Sequence, residues 1–271
     1  MAIEPKTRPP KKSAKSRDGR MSLGEHLVEF RKRIFRAILG IAIGSVVGWL
    51  LSDQILVALS SPVSAIVDSQ GRVASLNFTD ISEAFDLRLQ IAITVGVVIS
   101  SPIWLYQIWA FLVPGLTKRE KQYGVGFVLT SIPLFLLGCA AGWYVLPHMV
   151  SLLTGFAPAD TTAIISAQTY YSFVLKLVIA IGIAFVMPVL LVLLNFAGII
   201  SGKAILRSWR IAILVIILFT AIATPAADVF SMFLLAIPMI VLFYSAALIA
   251  NVHDRRKAKK QEKFDSELVV P

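Results

Sequence analysis

The polar residues of this chain fall in clusters. Between the clusters run apolar stretches at 34–51, 87–113, 123–146 and 173–196, and then a longer one at 211–250. A helix needs ~20 apolar residues to cross the ~30 Å hydrocarbon core of a bilayer, so each of the first four makes one span. The last is too long for one. Thr224-Pro225-Ala226-Ala227-Asp228 divides it, because proline stops a helix and an aspartate can cap the next one. Spans five and six then cover 211–224 and 229–250. At ~1.5 Å per residue the fifth falls well short of the hydrocarbon thickness. Pro102, Pro133, Pro188 and Pro238 lie inside spans and predict kinks, since each removes a backbone donor. The pattern predicts an all-α polytopic membrane protein of six transmembrane helices, with proline-kinked spans and short fifth and sixth helices.

Shorter signals mark where helices begin and end. Ser22-Leu23-Gly24-Glu25 has capping-box spacing, and Leu23, Leu27, Phe30 and Ile34 form one helical stripe. Glu25, Glu29, Lys32 and Arg36 lie on the other side. This predicts an amphipathic helix along the membrane surface ahead of the first span. A polar segment, 52–86, ends in a second helix start at Asp80-Ile81-Ser82-Glu83. Trp104, Tyr106 and Trp109 sit on the last turns of the second span, where amphipathic rings favour the membrane interface. Pro114-Gly115 stops that helix, and Thr117-Lys118-Arg119-Glu120 is a capping box for the next. The proline- and lysine-rich segment 1–20 and the charged segment 251–271 predict disordered tails flanking a membrane domain of 21–250.

Composition agrees. Of 271 residues 57% are hydrophobic and 15% charged, with mean hydropathy +0.78, against about 25% charged in soluble domains. The net charge of +10 raises the question of nucleic acid. However, the cations crowd into tails and short loops beside apolar runs. Of the 26 lysines and arginines only Arg72, Arg88 and Lys176 fall on the opposite side. Cations collect on the cytoplasmic side of membrane proteins, so both termini are expected inside (N-in, C-in) and no nucleic-acid partner is expected. Cys139 is the single cysteine and lies in an apolar run, which rules out an intrachain disulfide. His26, His148 and His253 show no ligand spacing, so no metal is expected. There is no phosphate-cradling Gly-rich Lys-Ser/Thr loop and no nucleophile–base pairing, so neither a cofactor nor an enzymatic activity is expected. An ion-coupled small-solute transporter is the competing reading. It needs ionisable groups near the bilayer midplane, and no span carries an acid there.

Tyr106-Gln107-Ile108-Trp109-Ala110-Phe111 with the proline and Lys-x-x-Glu turn after it resembles TatC, the receptor subunit of the twin-arginine protein translocase. The resemblance continues at His26-Leu27-Val28-Glu29-Phe30-Arg31-Lys32-Arg33, at Thr224–Ser231 and at Leu234–Met239. It implies a cell-membrane protein that binds twin-arginine signal peptides of folded proteins at the cytoplasmic face. It also implies assembly with TatA- and TatB-type single-span subunits and with other copies of itself in membrane lipid, and export driven by the protonmotive force. By the same resemblance Glu29 and Glu120 match acids that contact the paired arginines of the signal, and Arg31, Arg33, Phe111, Leu116 and Lys118 match the surrounding surface. Pro62, Phe85, Pro102 and Asp228 match positions that shape the outer loop, the second helix and the turn before the sixth.

Plainer roles compete. Glu29 can pair with Arg33 one helical turn on, for about 0.2–0.5 kcal/mol, and Glu120 can serve its capping box. Asp228 can be a helix cap. One departure stands out: where the family commonly carries a glutamate in the fourth span, Phe185-Val186-Met187-Pro188 places Val186. Gln168 and Lys176 are the polar residues nearby, and Lys176 can snorkel to the interface.

Overall fold

The computed structural model describes residues 23–70, 74–112, 123–155, 163–224 and 228–268. The first helix, α1 (Leu23–Leu50), is followed by α2 (Ser52–Gln70) and a short strand, β1 (Ala74–Asn77). Helices α3 (Glu83–Ile99), α4 (Ser101–Leu112) and α5 (Tyr123–Gly155) come next, then strand β2 (Ala163–Ser166). The chain closes with α6 (Ala167–Phe196), α7 (Gly202–Arg207), α8 (Trp209–Ala223) and α9 (Val229–Leu268). Helices α1, α5, α6 and α9 are each long and apolar enough to cross a membrane. The pair α3–α4 passes the same test as one broken span, and α8 is a shorter apolar helix. That makes six crossings.

The second crossing breaks at Ser100, where α3 and α4 meet at 59°. Pro102 stands just past the break and has no N–H to return to the preceding turn. Trp104 helps to satisfy the break: its indole N–H donates to the Val97 carbonyl at 2.9 Å, and its ring meets Phe135 edge-on at 5.2 Å. Trp104 is therefore a packing residue of the break rather than an interface anchor. Pro133 and Pro147 in α5, Pro188 in α6 and Pro238 in α9 lie inside helices that run on without interruption.

Helix α6 is the hub. It packs on α3, α5 and α9, and its Tyr171, Val174, Ile181 and Phe185 share one buried cluster with Ile91 of α3, Leu146 of α5 and Leu235 of α9. Helix α1 lies outside this cluster against α3 and α4. Small residues let it approach closely. Gly40, Gly44 and Gly48 recur every fourth residue and are all buried. A Cβ added at Gly44 would stand 2.8 Å from the Gly96 carbonyl, and one at Gly48 2.5 Å from that of Ala92. Such small-residue stripes bring helix backbones together where lipid supplies no hydrophobic drive. Large apolar side chains left exposed, such as Ile43 and Leu50 on α1 or Leu214 and Ile222 on α8, are those that face hydrocarbon.

Three expectations need correction, and one segment carries structure that the sequence pattern did not assign. No separate surface helix precedes the first span. The amphipathic stripe belongs to one continuous α1, because nothing between Leu23 and Leu50 breaks the helix and its first turns pack on α4. The polar segment 52–86 is largely structured. It holds α2, which places Leu59 in the core, and β1, which pairs in parallel with β2 from Ala74–Ala163 to Asn77–Ser166. The sixth helix is not short: α9 runs for 40 residues. For the same reason 251–268 is helical, not disordered. Its lysines, arginines, glutamine, glutamates and alanine are good helix formers, and Asp254 anchors its start. That carboxylate accepts from Asn195 Nδ2 at 3.0 Å and from the Gly202 N–H at 2.7 Å, joining the end of α6, the start of α7 and α9. The N-terminal tail, 1–20, lies outside the described residues.

Candidate functional site

The start of α1 and the end of α4 meet on the basic side of the bundle. Phe111, near the end of α4, stacks on the imidazole of His26 with ring centres 4.3 Å apart, and packs on Phe30 at 5.2 Å. Farther along, a Cβ at Gly40 would meet Ile103 at 3.0 Å, so the two helices run antiparallel in contact. Glu29 lies between these points on α1. Its Oε1 accepts from Arg33 Nε at 3.1 Å and also from an Arg33 terminal nitrogen. The two side chains are only about a fifth exposed, at 21% and 19%. Its second oxygen, Oε2, is buried and has no hydrogen-bond partner among the described residues. Two further polar atoms of α4, Gln107 Oε1 and Trp109 Nε1, share that state. Unpartnered buried polar atoms are rare in folded proteins because each carries a desolvation penalty, and here three fall on one helix pair. Arg31, with Lys32, Phe35 and Arg36, lines a cationic cavity of about 340 Å³.

The structure thus pairs Glu29 with Arg33 on α1 and packs Phe111 of α4 on the neighbouring His26 and Phe30, while Arg31 lines a separate pocket. Leu116, Lys118 and Glu120 lie at 113–122, outside the described residues. The four turn residues are elsewhere. Phe85 is on the opposite side of the membrane, where it meets Trp49 edge-on at 5.9 Å and so ties α3 to the end of α1. Pro62 is in α2, and its side chain is outside the described residues. Pro102 is at the break already described. Asp228 is 2% exposed and caps α9, its Oδ1 accepting from the Ser231 N–H at 2.8 Å.

Among solved structures, two crystal structures of the twin-arginine translocase receptor TatC share this fold. One has a TM-score of 0.69 at 33% identity over 84% of this chain and 98% of that one. The other, in DDM, has 0.71 at 34% over 83% and 99%. The family model for TatC, the Sec-independent protein translocase protein, matches residues 25–238. The chain belongs to the TatC family. Relatives bearing that protein's name include one from Xylanimonas cellulosilytica, 43% identical over 94% of this chain and 93% of its own length. Another, from Aquifex aeolicus, is 35% identical over 89% of this chain and 100% of its own. As a TatC-family protein the chain is a multi-pass cell-membrane component of the twin-arginine translocase and works with the other parts of that complex and with signal peptides.

Val186, the departure noted in the sequence, is 4% exposed in an apolar cluster with Leu105, Phe135 and Cys139. Its role is packing between α4, α5 and α6. Val186→Ala is expected to lower thermal stability in detergent by the equivalent of about 1–2 kcal/mol while leaving signal-peptide affinity unchanged. A loss of affinity at normal stability would assign this position to binding instead.

Two groups were not anticipated. Asn195 donates to the Ile200 carbonyl at 2.9 Å as well as to Asp254, fixing the loop between α6 and α7. The only advance sign of it is a polar residue at the end of a highly apolar helix. The Gly40, Gly44 and Gly48 stripe was legible from its spacing of four.

Proposed function

We propose that this chain is the signal-peptide receptor of its translocase, with Glu29 and Glu120 as the two carboxylates that take the paired arginines at the cytoplasmic, basic face. The observation that carries the reading is the state of Glu29. One oxygen is held by Arg33, and the other is buried without a partner among the described residues, one turn from the His26–Phe111–Phe30 stack. An incoming guanidinium can fork onto a carboxylate with two parallel hydrogen bonds, which a lysine ammonium cannot copy. That geometry gives a physical reason for demanding arginine. Arg31, Arg33, Phe111, Leu116 and Lys118 shape the surrounding surface. Pro62, Phe85, Pro102 and Asp228 hold the turns that set the bundle's shape. TatA- and TatB-type single-span subunits and other copies of the chain are the assembly partners, and the protonmotive force drives export. Among the described residues the buried acids Glu83 and Asp228 both serve helix starts, Glu83 by accepting from the Thr79 N–H at 2.7 Å. Neither is a midplane ion site, so the small-solute transporter reading finds no support.

The test is a photoreactive group on a signal peptide, next to its arginine pair, added to membranes containing the full-length protein. Adducts are expected in the first turns of α1 and within 113–122, and a Lys-Lys signal should abolish them. Adducts that map only to other helices would overturn the assignment.

A further inference from the structure

We propose that the groove between α6, α8 and α9 binds an anionic phospholipid of the basic-side leaflet, with one acyl chain in the groove and the headgroup on the cations at its mouth. The groove is a cavity of about 670 Å³, and its walls are almost wholly apolar, with Ala180 and Leu191 on α6, Val215 and Phe219 on α8 and Phe243 on α9. Its length identifies the occupant. From Ser208 at the mouth to Phe219 at the far end the α8 wall rises ~16 Å at ~1.5 Å per residue, which is about half of the ~30 Å hydrocarbon core. An acyl chain is about one leaflet long, so it matches the groove in depth. Ile205, 3% exposed, is part of the lining on α7.

The residues next to the lining are charged to match: Lys203 and Arg207 adjoin Ala204 and Ser208 of the lining, and Arg210 adjoins Ile211. Lys203 and Arg207 on α7 and Arg210 on α8 are all exposed. No ion pair to a carboxylate is formed by any of them among the described residues. Arg210 lies 5.4 Å from the Trp209 ring centre, and tryptophan favours the headgroup level. The nearby acid, Asp254, is already committed to Asn195 and the Gly202 N–H. Basic pockets between helices on the cytoplasmic side suit anionic headgroups, and three unneutralised cations at the end of a leaflet-deep apolar slot meet that description.

The test uses the full-length protein reconstituted in phosphatidylcholine vesicles doped with spin-labelled phosphatidylglycerol or spin-labelled phosphatidylcholine. The motionally restricted fraction is read by electron spin resonance. Phosphatidylglycerol is expected to be preferred by roughly tenfold or more, and K203Q/R207Q/R210Q to cut the preference below about twofold. On the unmodified protein, high salt should reduce the preference in the same direction, because screening shortens the reach of the cations. Val215→Trp, which fills the groove, should lower restriction of both lipids. Equal restriction of the two lipids by the unmodified protein would overturn the proposal, as would a preference that survives both the triple substitution and salt. Restriction of neither lipid, with the groove protected only when a single-span subunit is added, would assign it to a helix and overturn it too.

Discussion

Exchange of Glu29 for glutamine is expected to leave the protein inserted and abundant but to weaken its hold on a twin-arginine signal peptide by roughly ten- to a hundredfold. A hydrogen bond to a charged group is worth about 1.5–3 kcal/mol, and ~1.4 kcal/mol is one decade in affinity. Glutamine keeps the size and one acceptor of glutamate but loses the charge and the second acceptor oxygen, which a guanidinium fork requires. The internal pair with Arg33 contributes far less to stability, about 0.2–0.5 kcal/mol for neighbours of this spacing, so the fold should barely register the change. Glu120→Gln should behave likewise, and the two together should lose more than either alone. Titration of labelled signal peptide onto detergent-purified protein at low salt measures this. Unchanged affinity in both variants would return Glu29 to a helix-stabilising pair.

The second large effect concerns the seam between α1 and α3. Gly48→Leu is expected to abolish most folded protein, because its Cβ would stand 2.5 Å from the Ala92 carbonyl and 3.0 Å from that residue's Cα. Those atoms are backbone and cannot swing aside, so the helices must part along the stripe that Gly40, Gly44 and Gly48 form. Overpacking costs about 1–3 kcal/mol even where side chains can adjust, against a total stability of about 5–15 kcal/mol. Gly126→Ala is the matched control. Among the described residues nothing lies within 4 Å of a Cβ there, and alanine is the better helix former by up to ~1 kcal/mol. Yield of monodisperse protein and melting temperature should separate the two. A Gly48→Leu protein that melts normally would show that the seam can open without loss.

The crossings were legible because hydrocarbon leaves the backbone few choices: a span must be helical and apolar. Pro225 and Asp228 were legible as punctuation for similar reasons, and Asp228 indeed caps α9. The β1–β2 pairing was not, since four residues on each side, separated by about a third of the chain, carry no local pattern. Charge misled the reading of 251–268, where composition suggested a solvated tail. The deciding contact, Asp254 with Asn195 and Gly202, is visible only in three dimensions. At the site, Glu29 and Phe111 stood out through the family likeness, and their contact could not be read from residues so far apart in sequence. Trp104 fitted an interface pattern, yet its indole N–H is committed to a broken helix.

The continuous α9 turns the end of the chain into a rigid mast. From Asn251 to Leu268 it runs ~27 Å along its own axis, several times the ~8 Å screening length of physiological salt. A limp chain of the same composition would lie down on anionic headgroups. A helical one keeps its residues in fixed order along one axis, so its charges cannot settle onto a surface one by one.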